Sequence, residues 1–267
     1  MGDRAVYCAR LESVCAERHR GFESPPIRQL TLAQRSGIGF LRNVRSLLFT
    51  LFVIAAARLL SAEEKFSDMA ADLAMAKQQY LGGHFDEAIA TLDRAEGKSS
   101  RTVESQDLRG CVYLEQGKLV DAEKAFESAH AIKYESFSPR IHHADALLRQ
   151  KKFADAANEY EKLIDTKAPM WPDYAKFGVL LAYLGQHDDP LAKRVFDTIL
   201  FPTETPAYYY AQSAWAFAHG NNSEAQKWMK SARKIFDAKT TAWFDRVFFQ
   251  FGWIKKKPAP TLDPFWS

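Results

Sequence analysis

Few side chains in this sequence have the spacing that catalysis or metal binding requires. His142 and His143 are adjacent, so on a helix their rings would point about 100° apart and could not share one metal ion. His142 and Asp145 stand three residues apart and are able to face one another, but no third ligand is evident beside them. The pair is typical of a polar contact rather than of a metal site.

Two other polar clusters also favour a structural role. His187, Asp188 and Asp189 are followed by a proline, and an acid before proline is a typical helix start with the carboxylate as its cap. Cys111 lies four residues after Asp107 and has no basic residue in reach on its own helix, which predicts a buried or groove-lining thiol. We therefore expect no catalytic residue, no metal and no cofactor, and we predict that the protein is not an enzyme.

One pattern of small and large apolar residues recurs between Gly83 and Leu163 with a period of 34 residues. Within each unit its positions fall at i, i+3, i+7 and i+10, which places them along one stripe of a helix. A second amphipathic segment precedes each of these helices and carries a small residue at the same period. The recurring columns are Phe85, Leu119 and Phe153; Ala88, Ala122 and Ala156; Leu92, Phe126 and Tyr160; Ala95, Ala129 and Leu163; and Ala76, Gly110 and Ala144.

A helix, a tight turn and a second helix in each period resemble the tetratricopeptide repeat (TPR) family. The resemblance rests on a small residue in the first helix, a glycine in the turn, and large apolar residues alternating with alanine in the second helix. Gly83 and Gly117 stand where a left-handed residue closes the first helix. The resemblance implies an all-α fold, an α-solenoid of about five TPR helix-turn-helix repeats with a C-terminal capping helix.

The predicted solenoid covers residues 63–254, and residues 255–267 are predicted to form a flexible tail. The third repeat has Lys151 and Lys152 where the turn glycine would be. In the fourth repeat Gly185 marks the turn, and two extra residues after it are predicted to lengthen that turn. The aromatic segment 240–254 is expected to form a helix that closes the exposed end of the array.

The first 62 residues differ in composition from the rest of the chain. Residues 1–60 contain nine Arg and no Lys, whereas all 19 Lys lie from Lys65 onward. Residues 46–57 form an apolar run of about 12 residues, which is shorter than the roughly 20 that span a bilayer and within the range of a signal-peptide core. We predict a signal peptide over residues 41–62, cleaved after Ala62, and export to the periplasm or another part of the bacterial cell envelope.

Other interpretations of this leader stay open. An uncleaved anchor over residues 46–60 would hold the protein in the inner membrane, whereas the acids among residues 1–40 argue against an Arg-rich transit peptide. Residues 1–40 are predicted to be disordered, or to lie upstream of a true translation start near Leu41 or Val44. After cleavage Cys111 would be the one remaining cysteine, so no intrachain disulfide is expected.

Composition limits the class of partner. The formal net charge of +3, with both signs mixed along the chain, gives no argument for nucleic acid or lipid. We expect no nucleic-acid partner, and membrane contact only through an uncleaved leader. The 19 Phe and six Trp are denser toward the C-terminal half, which fits either a partner-binding surface or a heavily packed end cap.

By the resemblance, a partner protein binds on the concave face that the first helix of each repeat lines. The Lys and Asn arrangement with which some relatives hold a C-terminal carboxylate is absent. The groove positions mix apolar side chains with more acids than bases, which suits an amphipathic segment carrying basic side chains, or a second copy of this protein. Ile141, Leu148 and Tyr210 have a second interpretation, as core residues. The predicted partner-binding residues are Lys77, Tyr80, Asp107, Cys111, Leu114, Ile141, Asp145, Leu148, Tyr210 and Phe217.

The sequence therefore favours a non-enzymatic scaffold or adaptor that binds another protein or peptide. A chaperone-like holder of exported polypeptides is one alternative, since a partly apolar groove would suit it. A repeat-containing accessory subunit of an enzyme complex is the other.

Overall fold

The computed structural model of the protein describes residues 34–165 and 171–262, and every regular element in these ranges is an α-helix. The prediction of an all-α fold is therefore confirmed. Among the described residues, no helix combines the length and the apolar character that crossing a bilayer requires. The helices are α1 (Gln34–Leu81), α2 (Phe85–Lys98), α3 (Val103–Glu115), α4 (Leu119–Ile132), α5 (Phe137–Arg149), α6 (Phe153–Ile164), α7 (Trp171–Gly185), α8 (Asp189–Phe196), α9 (Ala207–Ala218), α10 (Asn222–Ile235) and α11 (Ala238–Gln250).

The chain divides into two compact units, residues 1–58 and residues 59–267. The described part of the first unit is helical, and the large apolar side chains from Leu48 onward are open to solvent: Leu48, Phe49 and Phe52 are 58%, 69% and 70% exposed. The predictions made for residues 1–33 lie outside the described residues.

The second unit is built from five helix pairs followed by α11. Residues 59–81 of α1 share an apolar cluster with α2, in which Ala76 and Tyr80 lie with Ala88 and Leu92. The remaining pairs are α3 with α4, α5 with α6, α7 with α8, and α9 with α10. From the second pair onward, each first helix also contacts the first helix of the next pair: α3 contacts α5, α5 contacts α7, and α7 contacts α9. This arrangement is the predicted solenoid of five TPR repeats.

A residue with left-handed backbone closes the first helix of every pair. Gly83, Gly117 and Gly220 have φ angles of 78°, 73° and 76°. Lys151 and His187 take the same conformation, with φ of 60° and 58°, although each carries a Cβ atom that disfavours it. The role predicted for Gly83 and Gly117 is confirmed, and the geometry of the turn does not depend on glycine.

The predicted turn at Gly185 is wrong. Helix α7 continues to Gly185 and has 15 residues, compared with 13 in α3 and α5. The two extra residues therefore lengthen the helix, while residues 186–188 form a turn of the usual length. Gly185 instead permits close packing, because a Cβ atom there would come within 2.5 Å of the Phe153 ring. The Asp188 carboxylate caps α8 by accepting from the Leu191 backbone N–H at 3.0 Å.

The recurring columns form the core between the helices. A Cβ atom on Gly110 would come within 2.3 Å of the Phe126 ring, so a residue without a side chain lets α3 and α4 approach this closely. Burial of a large side chain such as Phe126 stabilises the fold by about 1.5–3 kcal/mol. The column residues with no exposed surface include Ala88, Ala122, Ala156, Leu92, Phe126 and Tyr160.

Candidate functional site

The concave face of the array is covered by α11 and by the segment that follows it. Trp243 near the middle of α11 is 1% exposed, and its indole N–H donates to the Asp145 carboxylate of α5 at 2.6 Å. The Tyr160 hydroxyl donates to the other oxygen of that carboxylate. Burial raises the pKa of Asp145, whereas the bonds from Tyr160 and Trp243 favour its charged form. The bond from Trp243 ties α11 to the third repeat.

Aromatic side chains of the fourth and fifth repeats also pack against α11. Phe244 stacks on Tyr210, with ring centroids 4.7 Å apart, and lies 5.0 Å from Phe177. Phe248 meets Phe217 edge to face at 5.7 Å. Such pairs add about 0.5–1.5 kcal/mol each beyond the burial of their surface. The contact between α11 and the concave face is therefore a packed hydrophobic interface.

One carboxylate links three helices beside these rings. The Asp245 side chain of α11 accepts from the Tyr210 hydroxyl of α9 at 2.6 Å and from the Arg233 guanidinium of α10 at 2.8 Å. Its partners fix the rotation of α11 about its axis, because Asp245 must face α9 and α10 while Trp243 faces α5.

The segment after α11 continues across the face toward the first repeats. Residues 255–262 contain no helix, and the Lys257 ammonium pairs at 2.9 Å with Glu115, whose side chain is 3% exposed. The Arg246 guanidinium donates to the Thr261 hydroxyl at 2.8 Å. Leu262 packs against the apolar cluster around the first repeat. These contacts hold the segment on the array.

Most of the predicted partner-binding residues lie beneath α11 and the segment that follows it. Nine of the ten are buried, and Lys77 is half-buried. Ile141, Leu148 and Tyr210 are 0%, 3% and 0% exposed, which agrees with their second interpretation as core residues. The binding role of the ten residues stays a prediction.

The two acids among these residues, Asp107 and Asp145, already have partners within the chain. Asp107 accepts from the Ser138 hydroxyl and lies 2.8 Å from a ring nitrogen of His142. Asp145 is held by Tyr160 and Trp243. Because both acids have partners within the chain, they offer no unsatisfied charge to a basic side chain.

A polar cluster that the sequence analysis missed lies at the base of the groove. His142 Nδ1 of α5 is 2.8 Å from Asp107 Oδ1 and 3.5 Å from Cys111 Sγ, both on α3. All three residues are buried. The signal for this cluster is the stacking of successive first helices, which brings the residues around 107–111 against those around 138–145.

The cluster does not have the geometry of a nucleophilic site. Asp107 and Cys111 both contact the same ring nitrogen of His142, so the imidazole cannot pass a proton from the thiol at one nitrogen while a carboxylate orients the other. Burial raises the pKa of the Cys111 thiol. Burial opposes a charge on His142, but its contacts with Cys111 and Asp107 outweigh this and raise the pKa of the imidazole well above 6.5.

A second group of potential ligands lies on the outer side of the second and third repeats. Glu123 and Glu127 of α4 and His143 of α5 place donor atoms within 4.8 Å of one another. His143 Nε2 has no hydrogen-bond partner among the described residues. Glu123, however, already accepts from Gln150 at 2.8 Å and from Lys152 at 3.1 Å.

A large open cavity lies at the fifth repeat. A cavity of about 690 Å³ lies between α9, α10 and the segment after α11. Phe217, Met229 and Trp253 supply its apolar wall, and Lys255 and Lys256 lie at its edge.

Comparison with known proteins agrees with this architecture. Residues 55–141 match the tetratricopeptide repeat-like domain family. No curated protein matches the chain.

Solved structures of similar fold are TPR proteins or pilus proteins of low sequence identity. The Pseudomonas aeruginosa pilF protein is 12% identical with a TM-score of 0.53, over 71% of this chain and 88% of that protein. TTC0263, a thermophilic TPR protein of Thermus thermophilus, is 14% identical with a TM-score of 0.53, over 68% and 99%. PilW, described as a widely conserved type IV pilus biogenesis factor, is 17% identical with a TM-score of 0.52, over 70% and 87%.

The fold is that of a protein-interaction scaffold, since paired helices in a solenoid present an extended surface to other chains. The 34-residue columns, the five helix pairs and the family match agree with one another. Residues 55–141 therefore match the tetratricopeptide repeat-like domain family, and the second unit has the fold of a tetratricopeptide-repeat array.

Proposed function

We propose that the protein is a non-enzymatic adaptor that binds a helical segment of a partner protein on its concave face, in the place that α11 occupies. The observation that supports this proposal is α11 itself. It is an amphipathic helix seated on the predicted groove residues, with Trp243 bonded to Asp145 and Phe244 stacked on Tyr210. A partner segment with the same side chains could make the same contacts with the groove residues that α11 now makes.

The groove specifies the segment that it would accept. The buried Asp145 carboxylate needs a donor, which α11 supplies as an indole N–H. The rings of Tyr210 and Phe217 need aromatic partners further along the helix, which α11 supplies as Phe244 and Phe248. The proposed segment is therefore an aromatic amphipathic helix, and a second copy of this chain carries one in its own α11.

Replacement of α11 by a partner helix has a high free-energy cost unless the incoming helix makes equivalent contacts with the groove. Trp243, Phe244, Val247 and Phe248 are each at most 2% exposed, and exposing one such side chain costs about 1.5–3 kcal/mol. Because the occupied groove lowers the fraction of chains able to bind, the apparent affinity falls by that fraction. Variants that loosen α11 should therefore bind a matching segment more tightly.

A labelled peptide of residues 236–262 tests the proposal against the full chain. We expect it to bind a Trp243→Ala variant at least tenfold more tightly than the unaltered chain, because the substitution weakens the internal competitor. Lys239→Ala, at an exposed position of α11, is the matched control and should bind as the unaltered chain does. If a folded Trp243→Ala variant fails to bind the peptide, the groove does not accept helices in exchange for α11.

We further propose that residues 41–62 direct the protein to the cell envelope as a signal peptide. The arginine-flanked apolar run supports this, as does the exposure of Leu48, Phe49 and Phe52, which leaves an apolar helix surface without cover in the described chain. Sequencing the N-terminus of the protein from the periplasmic fraction should give a chain that begins at Glu63. Recovery from the cytoplasm with residues 41–62 still attached would contradict export.

A further inference from the structure

We propose that Asp107, Cys111 and His142 form a binding site for one Zn²⁺ ion at the base of the groove, beneath α11. The three side chains offer one oxygen, one sulfur and one nitrogen donor, and these atoms lie within 4.8 Å of one another. Carboxylate, thiolate and imidazole are the ligand types that Zn²⁺ takes in proteins.

The distances between the donor atoms are close to those of a tetrahedral site. Zn–S and Zn–N bonds of about 2.3 and 2.05 Å at tetrahedral angles place the sulfur and nitrogen about 3.5 Å apart. His142 Nδ1 lies 3.5 Å from Cys111 Sγ. The same reasoning gives about 3.3 Å between nitrogen and oxygen. Asp107 Oδ1 lies 2.8 Å from His142 Nδ1, so the carboxylate has to withdraw by about half an ångström to admit the ion.

The approach of Asp107 Oδ1 and Cys111 Sγ to the same ring nitrogen of His142 also favours a metal ion at this position. A single proton on His142 Nδ1 can point at Asp107 Oδ1 or at Cys111 Sγ, whereas a metal ion contacts all three atoms at once. One thiolate and one carboxylate balance the two positive charges of Zn²⁺. The occupied site is therefore neutral, which a buried position requires.

The surroundings supply the other parts of such a site. The Ser138 hydroxyl donates to Asp107 Oδ2, the oxygen that does not face His142, and so orients the carboxylate. Cys111 and His142 also line a partly open cavity of about 10 Å³, together with Asp145, Trp243 and Arg246. A space of this size holds about one water molecule, which would complete four-coordination.

The full chain titrated with Co²⁺ alone, as a spectroscopic substitute for Zn²⁺, tests the proposal. We expect one Co²⁺ per chain, with visible bands of tetrahedral coordination and a near-ultraviolet band from thiolate ligation. Cys111→Ser should abolish the thiolate band. Ser138→Ala leaves all three ligands in place and should weaken binding about 10- to 100-fold. It thereby keeps the test valid if Cys111→Ser does not fold.

A double variant at the outer cluster, Glu123→Gln with His143→Gln, serves as the matched control and should leave the Co²⁺ spectrum unchanged. Absence of a thiolate band in the unaltered chain would overturn the proposal. So would a spectrum that persists in a folded Cys111→Ser variant, or one that disappears only in the outer-cluster variant. Zn²⁺ should compete with Co²⁺ for the site and remove the bands.

Discussion

The indole N–H of Trp243 donates a 2.6 Å hydrogen bond to the carboxylate of Asp145, which stands 98 residues earlier in the chain. Apart from contacts of this kind, each repeat touches only its neighbours, as in other solenoids. The bond between α11 and the third repeat adds a long-range connection. We therefore expect the second unit to unfold with greater cooperativity than an open array of the same length.

Phe244→Ala should lower the free energy of unfolding by about 3–5 kcal/mol, because it leaves a cavity between Tyr210 and Phe177. Urea denaturation followed by circular dichroism measures the change. Ile235→Ala is the matched control: Ile235 is 60% exposed, and its loss should change stability by no more than about 0.5 kcal/mol. Equal effects of the two substitutions would show that Phe244 is not packed in solution.

Lys151→Gly should stabilise the protein by about 0.5–1 kcal/mol. Lys151 has φ of 60°, and relief of its left-handed strain, about 1–2 kcal/mol, exceeds the entropy cost of glycine in the unfolded chain. Gly117→Ala, at the equivalent turn of the second repeat, should destabilise by about 1 kcal/mol, because alanine introduces a Cβ atom at a φ angle of 73°. Thermal denaturation of the two variants should give melting shifts of opposite sign, and shifts of the same sign would contradict the assigned turn geometry.

Gly110→Ala should destabilise by about 1–3 kcal/mol, since a Cβ atom would come within 2.3 Å of the Phe126 ring. Gly97 provides a comparison in α2, because nothing lies within 4 Å of the position its Cβ atom would take. Gly97→Ala should therefore stabilise, by up to about 1 kcal/mol. Chemical denaturation separates the two effects, and a neutral Gly110→Ala would mean that α3 and α4 are further apart than the structure shows.

Asp72→Asn should remove part of the acid sensitivity of the second unit. The Asp72 carboxylate accepts from Arg94 at 2.9 Å and from Lys98 at 3.4 Å, and the bond from Arg94 lowers its pKa below 3.8. A lowered pKa contributes stability that is present above the unfolded value of about 3.8 and is lost as the pH falls through the folded value.

We expect the contribution of Asp72 to be about 1 kcal/mol or less, because Arg94 is 48% exposed and solvent screens the pair. Stability curves of the unaltered chain and the Asp72→Asn variant should differ at pH 6 and converge as the pH falls below the lowered pKa of Asp72. Curves that run parallel across this range would show that the pair does not form.

The repeats could be predicted from the sequence because their signals are local. The columns that contain Phe85, Leu119 and Phe153 report on helices that pack within one period, so spacing alone places them. The turn at Gly185 is mispredicted because spacing cannot distinguish two residues added to a turn from two added to the helix before it. Helix length depends on packing, here of Gly185 against Phe153.

The site was less predictable because it depends on contacts between distant residues. The sequence identifies 240–254 as an aromatic helical segment, but its position on the concave face follows from Trp243 meeting Asp145. The approach of His142 to Cys111 likewise needs the stacking of α3 on α5. The ten predicted groove residues follow from the repeat register, but the repeat pattern does not indicate that α11 covers them.

The most direct test of the account is a double-mutant cycle between Trp243 and Asp145, using Trp243→Phe, Asp145→Ala and the double variant in urea denaturation. If α11 occupies the concave face, the two substitutions should be coupled by about 1–3 kcal/mol. Additivity to within about 0.3 kcal/mol would contradict it, since residues without contact do not couple.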